Sequence, residues 1–413
     1  MIHRRTDCRA CRSRSLEVVF SLKPSPIGDA YVTRERVHES QPSYPIDLYM
    51  CRDCGLAQII DVIDPAILYG EYIYLTESSL GLVEHFRAYA DHVIARCGLR
   101  PGSLVIDLGS NDGTLLQRFQ ERGMRALGVE PARHIADYAK AKGVPTLGEF
   151  FDPSLAKRIV TEYGHAAVVT ANNVFANIDD LASWLEGVNE LLTSDGVFVF
   201  ESSYLADVVQ NMIFDFIYHE HLSAFSVRPI QALAGRAGLE LAAVERVPTK
   251  GGSLRYFTQR PGGPLAVNGS VTAMLAFEDE TGLYRKETYT AFANKVNQLK
   301  AKTSRFLAGA KREGKKIAGL GASITGTTLI YHFEIGPYLE YLVDDNPAKQ
   351  GRFSPGLHLP VFATTVLTER QPDYVLILAW RYADLLIRKN QDYLQRGGRF
   401  VVPVPEFRVV AST

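Results

Sequence analysis

The stretch Leu104–Gly113, which reads LVIDLGSNDG, constrains the fold of this chain more than any other. An apolar run reaches Asp107, a turn with Gly109 and Gly113 follows, and then comes the sequence TLLQRF. This order predicts a buried strand, a tight turn and a helix. The two glycines lack a Cβ, so the backbone can turn sharply and approach a ligand closely. Their spacing differs from that of a dinucleotide-binding fold and from that of a phosphate-binding loop.

The turn resembles the first signature of class I S-adenosylmethionine (SAM) methyltransferases, although an ordinary strand-to-helix turn would also use glycines. A second predicted strand ends at Glu130, whose carboxylate can accept hydrogen bonds from both ribose hydroxyls of a nucleoside. Two further strands, Ala167–Thr170 and Gly196–Phe200, are each followed by polar residues; Asn172 and Asn173 come after the first. Together these features predict a cofactor-binding α/β domain.

Length and composition exclude several classes of protein. A chain of 413 residues suggests two or three domains. Its 46% hydrophobic and 22% charged residues are ordinary for a globular protein, and a net charge of −1 gives no basic field for nucleic acid or an anionic membrane. No apolar run approaches the roughly 18–20 residues of a membrane span, and the start lacks a signal-peptide core. We therefore expect a cytoplasmic protein.

Four of the five cysteines form two pairs, Cys8-x-x-Cys11 and Cys51-x-x-Cys54. Two such pairs can supply four thiolates in a tetrahedron, which is the arrangement of a closed structural zinc site. Two unrelated cysteine pairs are the alternative, because the gap between the pairs is long. Cys97 stands alone and is expected to fill apolar space.

The order of these features predicts three domains. Residues 1–70 would form the zinc-binding module, residues 71–245 the SAM-binding domain, and residues 246–413 a second Rossmann-like domain that includes a long helix over Val271–Arg312. The segment Leu68–Ser79 is dense in hydroxyl groups and is read either as a strand edge or as a lid over the cofactor. The glycine turn of the last domain could bind a nucleotide or serve only for packing.

The stretch Tyr218-His219-Glu220-His221 is unusual because three ionisable residues lie in a row between apolar ones. A solvated surface would not explain it. Two histidines this close could be metal ligands, but no further ligands are visible nearby, and a structural histidine pair is the other alternative.

The chain resembles, over essentially its whole length, the sugar C-methyltransferases that build branched-chain deoxysugars. The resemblance implies a zinc-binding segment, a class I SAM methyltransferase domain of Rossmann-like α/β fold, and a Rossmann-like C-terminal domain. It rests on five stretches: Asp107–Gly113, Asn172–Phe175, Tyr218–His221, Gly251–Arg255 and Asp344–Arg352.

Methylation of a carbon requires a carbanion equivalent, and next to a ketone a positioned base can form it as an enolate. The resemblance places this base at His221, with His219 as the rival. Glu220 could orient the base, or could itself serve if burial raised its pKa. Tyr218 and Tyr72 could donate hydrogen bonds to the enolate oxygen.

SAM is expected to lie over the glycine turn, with its ribose on Glu130, its adenine near Phe150 and its methionine end near Asn172. The residues assigned to SAM are Asp107, Gly109, Ser110, Asn111, Gly113, Glu130, Phe150, Asn172 and Asn173. Ser253 and Arg255 are assigned to the substrate, since the planar donor fork of arginine suits a diphosphate. A surface arginine in a structural turn is the alternative.

The sequence departs from the family pattern at Asn177, where a histidine is usual, and at Thr325 in the last glycine turn, where a lysine is frequent. The expected function is SAM-dependent C-methylation of a nucleotide-linked keto sugar. The alternatives are O- or N-methylation of a small molecule, and a protein that binds SAM or a sugar nucleotide without catalysis.

Overall fold

The computed structural model describes residues 2–70, 74–79 and 81–412. Its strands are, in chain order, β1 (Ile2–Arg4), β2 (Leu16–Ser25), β3 (Tyr44–Cys51), β4 (Ala57–Ile59), β5 (Asp61–Ile63), β6 (Leu104–Leu108), β7 (Arg125–Val129), β8 (Thr146–Leu147), β9 (Ala166–Thr170), β10 (Leu192–Ser203), β11 (Ser223–Ala224), β12 (Glu240–Val247), β13 (Ser253–Gln259), β14 (Ile317–Leu320), β15 (Tyr341–Val343), β16 (Val361–Phe362), β17 (Tyr374–Ile377), β18 (Arg399–Val402) and β19 (Arg408–Val410).

The α-helices are α1 (Pro65–Tyr69), α2 (Leu82–Arg96), α3 (Thr114–Gln120), α4 (Arg133–Ala141), α5 (Pro153–Tyr163), α6 (Leu181–Leu191), α7 (Leu205–Gln210), α8 (Val227–Arg236), α9 (Gly269–Glu280), α10 (Lys286–Arg312), α11 (Ile324–Phe333), α12 (Val366–Arg370), α13 (Ala383–Lys389) and α14 (Gln391–Gln395). Short 3₁₀ helices cover Arg34–Arg36, Thr76–Ser78, Phe175–Asn177, Phe214–Phe216, Thr249–Gly251, Gly336–Tyr338 and Trp380–Tyr382.

The chain divides into two units, each built from separate stretches of sequence. The first unit consists of Met1–Glu17, Tyr49–Asp207 and Glu220–Tyr284. The second unit consists of Val18–Leu48, Val208–His219 and Arg285–Thr413. The boundary expected after residue 245 lies inside strand β12 of the first unit.

The first unit contains a seven-stranded sheet in the order β12-β13-β10-β9-β6-β7-β8. Strands β10, β9, β6, β7 and β8 are mutually parallel, whereas β13 runs antiparallel to both β10 and β12. The carboxyl ends of the parallel strands therefore open at one edge, where α/β sheets bind their ligands. This arrangement confirms the expected class I SAM methyltransferase fold.

One part of the core of this unit lies between the sheet and helices α2 and α3. Strand β6 is buried along its whole length, which explains its continuous apolar run. Helix α2 contributes Phe86, Tyr89 and Val93, and helix α3 contributes Leu116 and Phe119. The apolar spacing of α2 in the sequence matches this buried face.

Smaller β structure accompanies the cysteine-rich segment of the first unit. Strand β1 pairs antiparallel with β5, and β11 pairs antiparallel with β4. In the β11–β4 pair, Ser223 lies opposite Gln58 and Ala224 lies opposite Ala57. The residues that directly follow His221 thus form a strand with the N-terminal region.

The second unit contains a six-stranded sheet in the order β16-β15-β14-β17-β18-β19, parallel except for β19. It confirms the expected second Rossmann-like domain. The single helix expected over Val271–Arg312 is instead two helices, α9 in the first unit and α10 in the second. Gly282 has a φ of +64° directly after α9, and the amide of Leu283 donates back to the carbonyl of Glu278. A glycine in this left-handed conformation ends a helix.

Within the described parts of the chain, none of the helices has both the length and the apolar character needed to cross a bilayer.

Candidate active site

The turn after β6 requires both of its glycines. Gly109 and Gly113 have φ values of +74° and +76°, a region that other residues rarely adopt. A Cβ at Gly109 would lie 2.4 Å from Cγ2 of Val174, and a Cβ at Gly113 would lie 2.9 Å from Cγ2 of Val144. Only glycine fits, so the turn brings bare backbone to the ligand edge of the sheet.

The carboxylate of Glu130 holds this turn from the next strand. One oxygen accepts the amide of Asn111 at 3.0 Å and the other accepts the amide of Ala132 at 2.9 Å. Burial raises the pKa of Glu130, while these two amide bonds act in the opposite direction. Each carboxylate oxygen has a second lone pair, so Glu130 can also accept the two ribose hydroxyls.

Two buried polar atoms near the turn have no hydrogen-bond partner among the described residues: Oγ of Ser110 and Nδ2 of Asn172. The amide oxygen of Asn172 is used, since it accepts the backbone N–H of Glu201 at 2.9 Å. Buried polar atoms are costly when unpaired. Oγ of Ser110 faces Gly128 of β7, where a Cβ would lie 2.4 Å from it, and the side chain of Asn172 lies next to the hydroxyl of Tyr89.

Asp107 is buried at the end of β6. The hydroxyl of Thr170 donates to its carboxylate at 2.6 Å. Burial raises the pKa of Asp107 to about 7, the hydrogen bond from Thr170 lowers it, and the nearby Glu130 raises it. Asp107 can therefore change its charge near neutral pH.

Asn111 serves a purpose that the sequence did not indicate. Its side-chain oxygen accepts the amide of Thr76 at 2.8 Å and its side-chain nitrogen donates to the carbonyl of Tyr74 at 3.0 Å. Asp112 accepts the amide of Glu77 at 2.9 Å. Thr76–Ser78 form a 3₁₀ helix, and none of residues 74–79 forms the strand edge that was one interpretation. The glycine turn thus holds the segment that precedes α2.

The outer end of this segment is fixed by Glu77. Its carboxylate accepts the hydroxyl of Tyr138 at 2.7 Å and the ammonium of Lys142 at 2.8 Å. These contacts, led by the bond to Lys142, lower the pKa of Glu77. Tyr72, expected to act on the enolate, lies outside the described residues.

Other predicted cofactor residues lie at the same edge of the sheet. The amide of Asn173 donates to the carbonyl of Glu201 at 2.8 Å, which places the Asn172–Asn173 pair between β9 and β10. Phe150 follows β8 and is 52% exposed. Its ring is thus open to solvent beyond β8.

In the first unit, Glu220 and His221 lie just before β11. Glu220 is buried and His221 is half-buried. The side chain of Asn177 donates to the hydroxyl of Tyr69 at 3.1 Å. Burial raises the pKa of Tyr69 most, and the charge of Glu220 raises it further. Tyr69, Asn177 and Glu220 thus form one cluster, and the hydroxyl-dense segment was the only sequence signal for Tyr69.

Tyr218 and His219 belong to the second unit. Nε2 of His219 contacts the carbonyl oxygen of Tyr44 at 3.3 Å, and the ring is buried. Burial lowers the pKa of His219 to about 4. A histidine this weakly basic is a poor acceptor for a proton from carbon. The ring of Tyr218 packs against Phe216.

The predicted substrate residues lie in β13, in the same sheet as strand β6, which the glycine turn follows. The guanidinium of Arg255 is buried and donates from Nε and Nη2 to one oxygen of Glu201, at 2.7 and 2.6 Å. The other oxygen of Glu201 contacts Nε2 of His85 at 2.7 Å. Ser253 donates to the carbonyl of Thr249. Arg255 is thus neither at the surface nor in a turn, and its guanidinium is engaged by the buried carboxylate of Glu201.

The four paired cysteines come together in the first unit. Their sulfur atoms all lie within 4.8 Å of one another, with 3.5 Å between Cys8 and Cys54 and 3.4 Å between Cys11 and Cys51. Zinc held at about 2.3 Å by four thiolates places the sulfurs about 3.8 Å apart. The cluster therefore fits one structural zinc ion and excludes two unrelated pairs.

The glycine turn of the second unit is occupied by internal contacts. The amide of Ala322 donates to Asp344 at 2.7 Å, and the ammonium of Lys349 donates to the carbonyl of Ala322 and to Asp29, each at 2.8 Å. Thr325, where relatives frequently carry lysine, accepts Nη2 of Arg381 at 3.2 Å. The positive charge beside Thr325 therefore comes from Arg381, which lies just after strand β17.

Comparison with known proteins agrees with this geometry. Three family models match: a zinc binding domain over residues 8–69, a methyltransferase domain over residues 82–244, and a C-methyltransferase C-terminal domain over residues 248–405. The chain is 33% identical to the C-methyltransferase NovU of Streptomyces niveus over 98% of its length and 97% of that protein.

Solved structures match just under half of the chain. A SAM-dependent methyltransferase from Clostridium acetobutylicum matches at 14% identity over 48% of this chain and 96% of that chain, with a TM-score of 0.35. The PH0226 protein from Pyrococcus horikoshii matches at 13% identity over 46% and 97%, with a TM-score of 0.38. The full-length similarity to NovU, the three family models and the four-cysteine cluster lead to one conclusion: the chain belongs to the family of SAM-dependent C-methyltransferases that carry an N-terminal zinc binding domain.

Proposed function

We propose that this C-methyltransferase acts on a nucleotide-linked keto-deoxysugar and that it forms an enolate of the sugar before methyl transfer. The observation that carries the proposal is the cluster at β11, where the half-buried His221 follows the buried Glu220, and Tyr69 with Asn177 lie beside that acid. The sugar class is supported by the motifs shared with sugar C-methyltransferases.

Carbon methylation sets the chemical requirement for this site. A carbon next to a ketone becomes a nucleophile only when a base takes its proton, and hydrogen bonds to the ketone oxygen stabilise the resulting enolate. SAM, when bound, supplies the electrophilic methyl group that this carbon accepts. An O- or N-methyltransferase needs no carbon-acid base and would leave the cluster without a purpose.

His221 is the proposed base. Imidazole is the side-chain group whose ordinary pKa lies nearest to neutral pH, which suits it to the role of a base. Its partial exposure leaves it accessible to a substrate. The rival His219 is buried and has a pKa lowered to about 4, which weakens it as a base. Glu220 would orient His221 and stabilise its protonated form.

Hydroxyl groups would serve the enolate oxygen. We propose Tyr218 and Tyr72 for this role, as the resemblance implies, and we add Tyr69. Its pKa is raised above the ordinary value, so its hydroxyl stays protonated and can donate. Oδ1 of Asn177 is buried without a partner among the described residues, so it can accept a hydroxyl of the substrate.

For the cofactor, we propose that Glu130 accepts the ribose hydroxyls, that Phe150 packs against the adenine, that Asn172 lies near the methionine end, and that Ser110 belongs to the turn under the cofactor. Asp107, Gly109 and Gly113 shape the turn beneath it. Asn111 contributes through its backbone and by holding residues 74–76.

The second unit is proposed to help hold the nucleotide part of the substrate. It has a glycine turn followed by an acid, Asp344, while the cations at the same edge, Lys349 and Arg381, pair with Asp29 and Asp215 and would support the turn. Arg255 would instead keep Glu201 in place, with Ser253 at the start of the same strand.

Incubation with SAM carrying a ¹³C-labelled methyl group and a panel of nucleotide-linked keto sugars tests the proposal. NMR of the product should show the labelled methyl group bonded to a sugar carbon next to the ketone. A methyl group on oxygen or nitrogen would contradict the enolate route, and methylation of an acceptor that is not a sugar would contradict the substrate class.

A further inference from the structure

We infer that Arg9, inside the first cysteine pair, is a positioning residue for methyl transfer because it fixes the strand that follows His221. The inference rests on the proposed role of His221 as the base. It gives the zinc-binding segment a part in catalysis beyond its own stability.

The guanidinium of Arg9 is completely buried, at 0% exposure. Its Nη1 donates to two main-chain carbonyls, that of Ile59 at 2.5 Å and that of Leu222 at 3.1 Å. Its backbone amide donates to the side-chain oxygen of Gln58 at 3.0 Å. One side chain therefore connects the Cys8-x-x-Cys11 turn, strand β4 and the residue directly after His221.

The carbonyl of Leu222 is held from two directions. Besides Arg9, the amide of Ile59 donates to it at 3.0 Å. Beyond it, Ser223 and Ala224 continue as β11 against β4. The backbone on the carboxyl side of His221 is thus an edge strand of the zinc-binding region, and Arg9 bonds to it where the ladder begins.

The same guanidinium also bonds to the segment that carries Asn177. Its Nε donates to Asp179 at 3.0 Å, and Asp179 also accepts Arg5 at 3.0 Å. Asp179 lies two residues after Asn177, whose side chain bonds to Tyr69. Arg9 therefore links both segments that carry the proposed catalytic cluster.

A buried cation is a poor choice if stability alone is required. Apolar side chains of similar volume often stabilise a buried site as well as an ion pair does, because they avoid the cost of desolvating a charge. A guanidinium instead offers several donors in a fixed plane, which can hold two separate strands in one geometry. Because a misplacement of about 1 Å can reduce a rate about 100-fold, such a clamp has catalytic value.

Substitution of Arg9 by methionine and by lysine tests the inference in the full-length zinc-loaded protein. Methionine keeps apolar volume without donors, and lysine keeps the charge but cannot span the same acceptors. Arg12→Met is the matched control, because Arg12 lies in the same turn but is exposed and pairs with Asp180 at the surface.

We expect Arg9→Met to keep one zinc per chain and to bind SAM with affinity within about threefold of the wild type. Its kcat should fall at least 10-fold, and amide hydrogen exchange should rise in peptides covering residues 220–226 and not in those covering 104–114. Arg9→Lys should recover part of kcat, and Arg12→Met should match the wild type.

Amide exchange requires no substrate, so it remains decisive even if the proposed sugar is wrong. Unchanged exchange at residues 220–226 in Arg9→Met overturns the inference, and so does increased exchange with an unchanged kcat. If Arg9→Met does not fold, Arg9→Lys and Asp179→Asn decide by the same two measurements. Failure of the proposed function would give a different result, because the wild-type protein itself would then produce no C-methylated sugar.

Discussion

The hydroxyl of Thr170 lies 2.6 Å from the carboxylate of Asp107 and donates a hydrogen bond to it. The two residues are direct neighbours in the parallel pairing of β6 and β9, at the edge of the sheet where the glycine turn begins. Burial raises the pKa of Asp107 to about 7. The ligand edge of the sheet therefore contains a carboxyl group that exchanges its proton in the working range of pH.

This pKa predicts that SAM binding depends on pH. SAM carries positive charge, and a nearby positive charge favours the ionised carboxylate. Below about pH 7 the free protein holds a proton on Asp107 that binding must release, so affinity should fall by up to about 10-fold for each pH unit below 7. Calorimetry at pH 6.5 in two buffers with different ionisation enthalpies should detect proton release.

Asp107→Asn provides the control for that experiment. It should bind SAM more weakly, and its affinity should lose this pH dependence. Wild-type affinity that stays constant between pH 6 and pH 8 would show that Asp107 does not titrate with the cofactor.

Glu130→Ala should weaken SAM binding by about 1–3 kcal/mol, because the two ribose hydroxyls lose the carboxylate that accepts their hydrogen bonds. The amides of Asn111 and Ala132 also lose their acceptor, so part of the effect will come from the turn. Glu149→Ala is the control, as Glu149 pairs with Arg158 at the surface. Equal affinities of Glu130→Ala and wild type would remove Glu130 from the cofactor site.

Cys51→Ser should remove the zinc ion and lower the thermal midpoint of the first unit, because metal binding is coupled to the folding of such a site. Metal analysis and thermal unfolding measure both effects. Cys97→Ser should keep the zinc, because Cys97 lies outside the cluster. Zinc retained at the wild-type level in Cys51→Ser would contradict a four-cysteine site.

Arg255→Met should destabilise the protein by about 3–5 kcal/mol, because it leaves the buried carboxylate of Glu201 without its main partner. The double variant Arg255→Met with Glu201→Gln should recover much of this loss. Urea unfolding of the two single variants and the double variant measures the coupling. Additive losses would show that the ion pair contributes no interaction energy.

The local features of the fold were predictable from the sequence because short-range chemistry determines them. Stretches of a few residues encode each of these features: the strand at Leu104–Leu108, the glycine turn, the acid Glu130 directly after β7, and the duplicated cysteine pairs. The helix break was missed, although Gly282 in the left-handed region explains it. The apolar spacing continues on both sides of that glycine.

Long-range pairings were not predictable from local patterns. Arg255 is buried because it pairs with Glu201, which is 54 residues away along the chain. Asn111 was assigned to the cofactor, but its side chain bonds to residues 74 and 76. Tyr69 joins the cluster through Asn177. Such contacts follow from tertiary packing, and no spacing rule encodes them.

The central claim is that His221 takes a proton from the sugar carbon before methyl transfer. Its most direct test is the exchange of that proton with deuterated solvent in the presence of S-adenosylhomocysteine, which cannot donate a methyl group. We predict that the wild-type protein places deuterium on the carbon next to the ketone, that His219→Ala still does so, and that His221→Ala does not. Exchange that persists in His221→Ala and disappears in His219→Ala, or no exchange in the wild type, would contradict the account.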